Sequence, residues 1–183
     1  VRAKRPKRVP VVLSAEEVSR VLARLPESAY LPAGLMYGTG MRLMEVMRLR
    51  VQDVDFAYRQ VVVRNGKGNK DRVVPLPSRL ESLLESQIAM TLQIHATDLE
   101  LGYGRVHLPH ALARKYPGAE TSEGWQYVFP ARRRSIDPRT GITRRHHLDA
   151  SVLQKAVKNA VRRAGIRKRA SCHTFRHSFA THL

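Results

Sequence analysis

The 183-residue chain carries one cysteine, Cys172, which excludes an internal disulfide framework and any zinc site built on several thiolates. Aromatic residues are scarce at 6%, and Trp125 is the only tryptophan. Acids are outnumbered: 15 Asp and Glu stand against 33 Lys and Arg, a formal net charge of +18. No apolar run reaches bilayer-spanning length, and the basic start is not followed by a hydrophobic segment, so neither a membrane helix nor a secretory leader is expected. Hydrophobic residues make up 43%, enough for a packed core, which excludes wholesale disorder. A compact domain with this charge repels itself unless a polyanion neutralises it, so nucleic acid is the expected partner of a soluble, intracellular protein.

Residues 1–12 hold Arg2, Lys4, Arg5, Lys7 and Arg8, broken by Pro6 and Pro10, and read as a basic linker or arm, with a solvated tail as the plain alternative. From Ser14 the pattern becomes regular. Ser14 and Glu17 have capping-box spacing, and Val18, Val21, Leu22 and Leu25 repeat as one apolar helical stripe. A second helix is expected over 30–37, stopping at Gly38-Thr39-Gly40, and a third from Met41 with Leu43, Val46 and Met47 inward. Two β-branched runs, Val61-Val62-Val63 and Val73-Val74-Pro75-Leu76, flank turn chemistry at 65–69, the pattern of a β-hairpin with a glycine-rich basic tip. A long amphipathic helix from Ser78 carries Leu80, Leu83, Leu84, Ile88 and Leu92. Residues 108–115 could form a short helix, 126–130 a short strand ended by Pro130, and 132–147 a basic surface loop. Two closing helices are expected, one burying Leu153, Ala156, Val157, Ala160, Val161 and Ala164 before a Gly165 cap, the other from about His173 to Leu183. The expected fold class is α+β: mostly helical, with a small antiparallel sheet made of the hairpin and one short strand.

Three stretches gather reactive groups: Thr39–Glu45, the Gly66-Lys67-Gly68 tip, and His173-Thr174-Phe175-Arg176-His177. Singly each has a bland account. Arg42 and Glu45 could be a helical ion pair, and Lys67 an ordinary solvated lysine. His173 and His177 share a helix face and could bind zinc, but the glutamate of H-E-x-x-H is missing and Arg176 would set a cation beside the metal, so no metal site is expected. Jointly the three stretches suit phosphoryl transfer. Arg42 and Arg176 can give forked hydrogen bonds to non-bridging oxygens, Lys67 can protonate a leaving oxygen if neighbouring cations lower its pKa, and His173 can hold a phosphoryl oxygen or exchange a proton.

These motifs (Thr39-Gly40-Met41-Arg42 with Glu45, then 66–76 from Gly66-Lys67-Gly68 to Val74-Pro75-Leu76, then 173–183 from His173-Thr174-Phe175-Arg176-His177 to Thr181-His182-Leu183) resemble the tyrosine recombinase, or phage integrase, family in order and spacing. The stretches 111–117, 125–130, Asp137-Pro138-Arg139 and Arg144-Arg145-His146-His147 are similar to segments of the integron integrase subfamily. The resemblance implies a recombinase catalytic domain over 13–183 with an integron-integrase-like insert and basic loop at 103–147. It implies Arg42, Lys67, His173 and Arg176 as catalytic residues, with Glu45 and His177 in support. Lys70, Arg72, Trp125, Pro138, Arg144, Arg145, His146 and His147 are the implied DNA contacts. In that subfamily the substrate is a folded single-stranded site with extruded bases, so Trp125 would stack on such a base; otherwise it is a core or strand-edge residue.

The resemblance further implies strand cleavage and rejoining through a phosphotyrosyl intermediate without metal, ATP or other cofactor. The implied partners are double-stranded and folded single-stranded recombination sites and further copies of the chain as a tetramer on DNA, in the bacterial cytoplasm at the nucleoid, with no membrane. One departure stands out. The family's second His (or Trp) and its nucleophilic tyrosine lie downstream of the His-x-x-Arg box, whereas Tyr30, Tyr37, Tyr58, Tyr103, Tyr116 and Tyr127 all lie upstream. The expectation is therefore a catalytic-domain fragment that binds DNA without cleaving it. A nucleic-acid-binding module without catalysis, and a type IB topoisomerase-like enzyme, are the alternatives.

Overall fold

The first helix begins at the capping box. Ser14 Oγ accepts from the Glu17 amide at 3.2 Å and Glu17 Oε2 accepts from the Ser14 amide at 2.8 Å, satisfying donors that a helix start leaves open. Helix α1 (Ala15–Leu22) follows and buries Val18 and Val21. The computed structural model describes residues 10–64, 66, 68, 70–109 and 112–183; most of the expected arm, and Lys67, lie outside them.

Helix α2 (Glu27–Thr39) is longer than the expected 30–37 and is apolar on most faces, with Ala29, Leu31, Ala33, Leu35 and Met36 buried, which suits a central helix. It stops at Gly40, whose φ of 66° is left-handed. A Cβ there would lie 2.5 Å from the Phe179 ring, so the later helix α7 (Cys172–His182) packs directly on this turn. The chain leaves the turn extended, and α3 (Leu43–Met47) begins two residues beyond the expected Met41, with Arg42 at its N-cap.

Strands β1 (Val54–Asp55), β2 (Gln60–Val63) and β3 (Arg72–Pro75) form an antiparallel sheet in that order. The register pairs Val61 with Val74 and Val63 with Arg72. Val61, Val63 and Val74 are buried while Val73 is exposed, the alternation of a sheet covered on one face.

Helix α4 (Ser78–Glu100) buries Leu80, Leu84 and Ile88, then continues the same stripe with Thr91, His95 and Asp98. Leu83 points outward, 43% exposed. The polar half of this stripe is where residues 103–147 dock. Those residues hold α5 (Leu112–Lys115), two single 3₁₀ turns at Ala119–Thr121 and Glu123–Trp125, and the paired strands β4 (Ser135–Ile136) and β5 (Thr143–Arg144). Two expectations are corrected here. The strand over 126–130 does not form as a continuous ladder: the segment makes two isolated antiparallel bridges to different partners, Tyr127 with Arg50 and Pro130 with His147. The supposed loop 132–147 contains the β4–β5 pair.

Helix α6 (Ala150–Arg163) and α7 complete the fold. Leu35, Met36, Met41, Leu84, Leu153 and Phe175 join in one principal core, and Val106, Leu108 and Tyr127 form a small separate one. Among the described residues no helix is long and apolar enough to cross a membrane.

Candidate active site and nucleic-acid interface

The turn between α2 and α3 builds the site. Arg42 sits where the backbone is extended, and the Glu45 carboxylate returns to it: Oε2 accepts from the Arg42 amide at 2.7 Å and Oε1 from Arg42 Nη1 at 2.8 Å. Arg72, across on β3, grips the same carboxylate with Nη1 on Oε1 at 2.9 Å and Nη2 on Oε2 at 2.6 Å. Burial pushes the Glu45 pKa upward, but the Arg72 and Arg42 hydrogen bonds overcome it and hold the group at about 2, against an ordinary 4.5. Glu45 is thus a fixed anion bracketed by two guanidinium groups.

Arg176, on α7, donates from Nη1 to the carbonyl of Gly40, two residues before Arg42. Burial, then the Arg42 charge, lowers its pKa, while Glu45 acts the other way. The two arginines therefore share one electrostatic neighbourhood although 134 positions separate them in the sequence. Holding two cations together costs Coulomb energy that an incoming phosphate relieves. His173 is exposed near the start of α7 and lines a cleft of about 620 Å³ with Leu43, the neighbour of Arg42. The His177 ring lies 6.5 Å from that of His173, and among the described residues no group of three or more His, Cys, Asp or Glu is placed to hold a metal.

A larger cleft of about 810 Å³ opens from Arg42 and Glu45 toward residues 103–147. Trp125, Pro138, Arg144 and His146 line it, beside Arg48, Arg64 and Arg139. Trp125 does two things at once: it faces this cleft and packs, half-buried, on the small core. Lys70 is exposed on the hairpin. The other expected DNA contacts are engaged within the chain. Arg72 is held by Glu45, Arg145 grips Asp98 through Nε at 2.6 Å and Nη2 at 2.8 Å, and buried His147 meets the Leu148 carbonyl through Nδ1 at 2.8 Å. Arg144 is bonded to Asp137 at 2.7 Å.

Two residues that organise this cleft escaped the sequence reading. Arg50, only 7% exposed, donates to the carbonyls of Trp125 at 2.6 Å and His107 at 2.8 Å and lies 3.5 Å over the Tyr127 ring. Asp98, 3% exposed, binds Arg134 and Arg145 and so fastens the basic loop to α4. A signal for Asp98 existed: it continues the helical stripe of Leu84, Ile88, Thr91 and His95. Nothing in sequence distinguished Arg50 from Arg48.

A family model described as "Phage integrase family" matches residues 11–183. An "Integrase/recombinase" of Escherichia coli is 47% identical over 177 residues, covering 97% of this chain and 52% of that protein. "Tyrosine recombinase XerA" of Thermococcus onnurineus is 33% identical over 181 residues, covering 97% and 50%. The crystal structure of XerA recombinase has a TM-score of 0.60 at 25% identity, over 97% of this chain and 52% of that one. XerH site-specific recombinase bound to palindromic difH substrate has a TM-score of 0.60 at 23% identity, over 95% and 42%, a likeness of fold alone. The chain spans about half the length of the curated relatives it matches.

Proposed function

The chain belongs to the phage integrase family, and from that premise we propose that it forms the phosphate-binding part of a tyrosine recombinase that cuts and rejoins DNA at specific sites. The observation that carries this reading is the Arg42–Glu45–Arg72 bracket with Arg176 fastened to the Gly40 carbonyl beside it. In this reading Arg42 and Arg176 clamp the non-bridging oxygens of one phosphodiester, and His173 assists from the start of α7, with His177 supporting it. A tyrosine hydroxyl attacks phosphorus and passes its proton to His173. A 3′-phosphotyrosyl bond forms as the P–O5′ bond breaks, and Lys67 gives a proton to the departing oxygen. A 5′-hydroxyl then reverses the exchange, so the bond energy is kept within the two transesterifications.

The nucleophile in this reading lies outside residues 1–183, since no tyrosine follows the His173–Arg176 box. The intact protein acts as a tetramer on DNA. The finer assignment, recombination of integron cassettes through folded single strands, is supported by the large cleft, where Trp125, Pro138 and His146 face the space that opens onto Arg42. An extruded base fits such a cleft by stacking, and Lys70 and the cleft arginines fit its backbone phosphates.

Suicide-substrate trapping tests the proposal in a chain extended past Leu183. A covalent protein–DNA adduct that disappears in Arg176→Ala is expected. DNA binding with no adduct under any condition would leave a binding module instead.

A further inference from the structure

Arg72 has the sequence position of a DNA contact, on a basic hairpin beside Lys70, and the geometry of something else. Its two terminal nitrogens meet both oxygens of Glu45, and those oxygens are also the ones that receive Arg42 through its backbone and its side chain. That end-on grip takes one N–H from each terminal nitrogen and ties the guanidinium to the carboxylate.

Gly66, in the hairpin, rests on the same pair. The Gly66 amide donates to the Lys70 carbonyl at 3.0 Å, closing the base of the tip. A Cβ on Gly66 would lie 2.9 Å from that carbonyl oxygen, 3.0 Å from Arg72 Nη1 and 3.7 Å from Glu45 Oε1. Gly66 therefore lies flat on the Arg72–Glu45 pair. Its φ is outside the left-handed region, so glycine is required here for the close approach alone.

Resting on the recombinase reading above, we propose that Arg72 is a positioning residue: by clamping Glu45 from β3 it fixes the Arg42 guanidinium and seats the hairpin, at Gly66, on the phosphate site. The sheet and the α2–α3 turn are separate in sequence, and this carboxylate ties them together at the edge of the core they share. The phosphate clamp and the hairpin at Gly66 are thereby set by one contact. A displacement of about 1 Å at such a contact costs about a hundredfold in rate.

The test uses the full recombinase and three variants: Arg72→Gln, Arg72→Lys and Gly66→Ala. Two quantities are measured, the rate of covalent adduct formation at saturating DNA and the dependence of DNA affinity on salt. All three variants are expected to slow adduct formation about a hundredfold while the salt slope stays at the wild-type value. Arg72→Lys should not rescue, because an ammonium cannot reproduce the fork. Gly66→Ala keeps every charge, so it carries the test if an Arg72 variant proves unfolded by its melting curve. Wild-type adduct rates in the variants, or a salt slope shallower by about 0.9 in Arg72→Gln as for one lost phosphate contact, would overturn the inference. A wild-type protein that forms no adduct overturns the recombinase reading, and this inference with it.

Discussion

Glu45 is the residue on which the site turns, and its acidity is measurable. Arg42 and Arg72 grip it and hold its pKa at about 2 against an ordinary 4.5, and its charge is felt by Arg176. A carboxylate more acidic in the folded than in the unfolded chain stabilises the fold fully above the unfolded value, and that stabilisation disappears as pH falls through the folded one. The difference in urea midpoint between wild type and Glu45→Gln should therefore be largest above pH 4.5 and shrink steadily toward pH 2; a difference independent of pH would contradict the bracket. Cys172 offers a second check. Burial raises its thiol pKa to about 11, so alkylation at neutral pH should be far slower than for a free thiol and should accelerate on unfolding. Trp125→Ala should weaken binding to a folded single-stranded site by about 1–3 kcal/mol and leave plain duplex nearly unaffected; equal losses on both would remove the base-stacking role. Arg42, Glu45 and Arg176 were legible as a group because they stand in motifs. Arg50 was not, because a buried arginine looks like a surface one until the carbonyls it satisfies are known.

At the scale of elements, periodicity was a good guide wherever one face meets one core. The stripes of α1 and α6, and the alternation of β2 and β3, gave the helices and the hairpin directly. It was a poor guide over 103–147, where the backbone is joined to the segment after α3 by an isolated bridge at Arg50 and Tyr127, and to α4 by side-chain hydrogen bonds, rather than by a ladder. Thr91 donates to the Val128 carbonyl at 3.0 Å, His95 Nε2 meets the Thr121 carbonyl at 2.8 Å, and Asp98 takes Arg134 and Arg145. The α4 side of this seam follows the helical stripe, but no regular pattern marks the 103–147 side, where Val128 and Thr121 are met at carbonyls that every residue possesses. Asp98→Ala strands two arginines and should cost about 3 kcal/mol of stability, with amide exchange in 103–147 accelerating more than in α2; uniform exchange would mean that Asp98 does not secure the segment.

Across the whole molecule, 33 cationic side chains against 15 acidic ones set the expectation of a polyanionic partner. Several of those cations are consumed internally, Arg50, Arg72, Arg134 and Arg145 among them, so net charge overstates the surface that DNA can meet. Affinity for duplex DNA should still fall linearly on logarithmic axes with salt, by about 0.9 per phosphate neutralised, and a flat response would contradict an electrostatic interface. The central claim is narrower: residues 42 and 176 serve one phosphorus atom. Neutral methylphosphonate linkages, placed one at a time along a recombination site, test it by binding alone. On unmodified DNA, Arg42→Ala and Arg176→Ala should each weaken Kd by about tenfold or more. At one linkage, the same for both, substitution should abolish both losses. If the two variants map to different linkages, or neither maps to any, the arginines do not share a phosphate and the account is wrong.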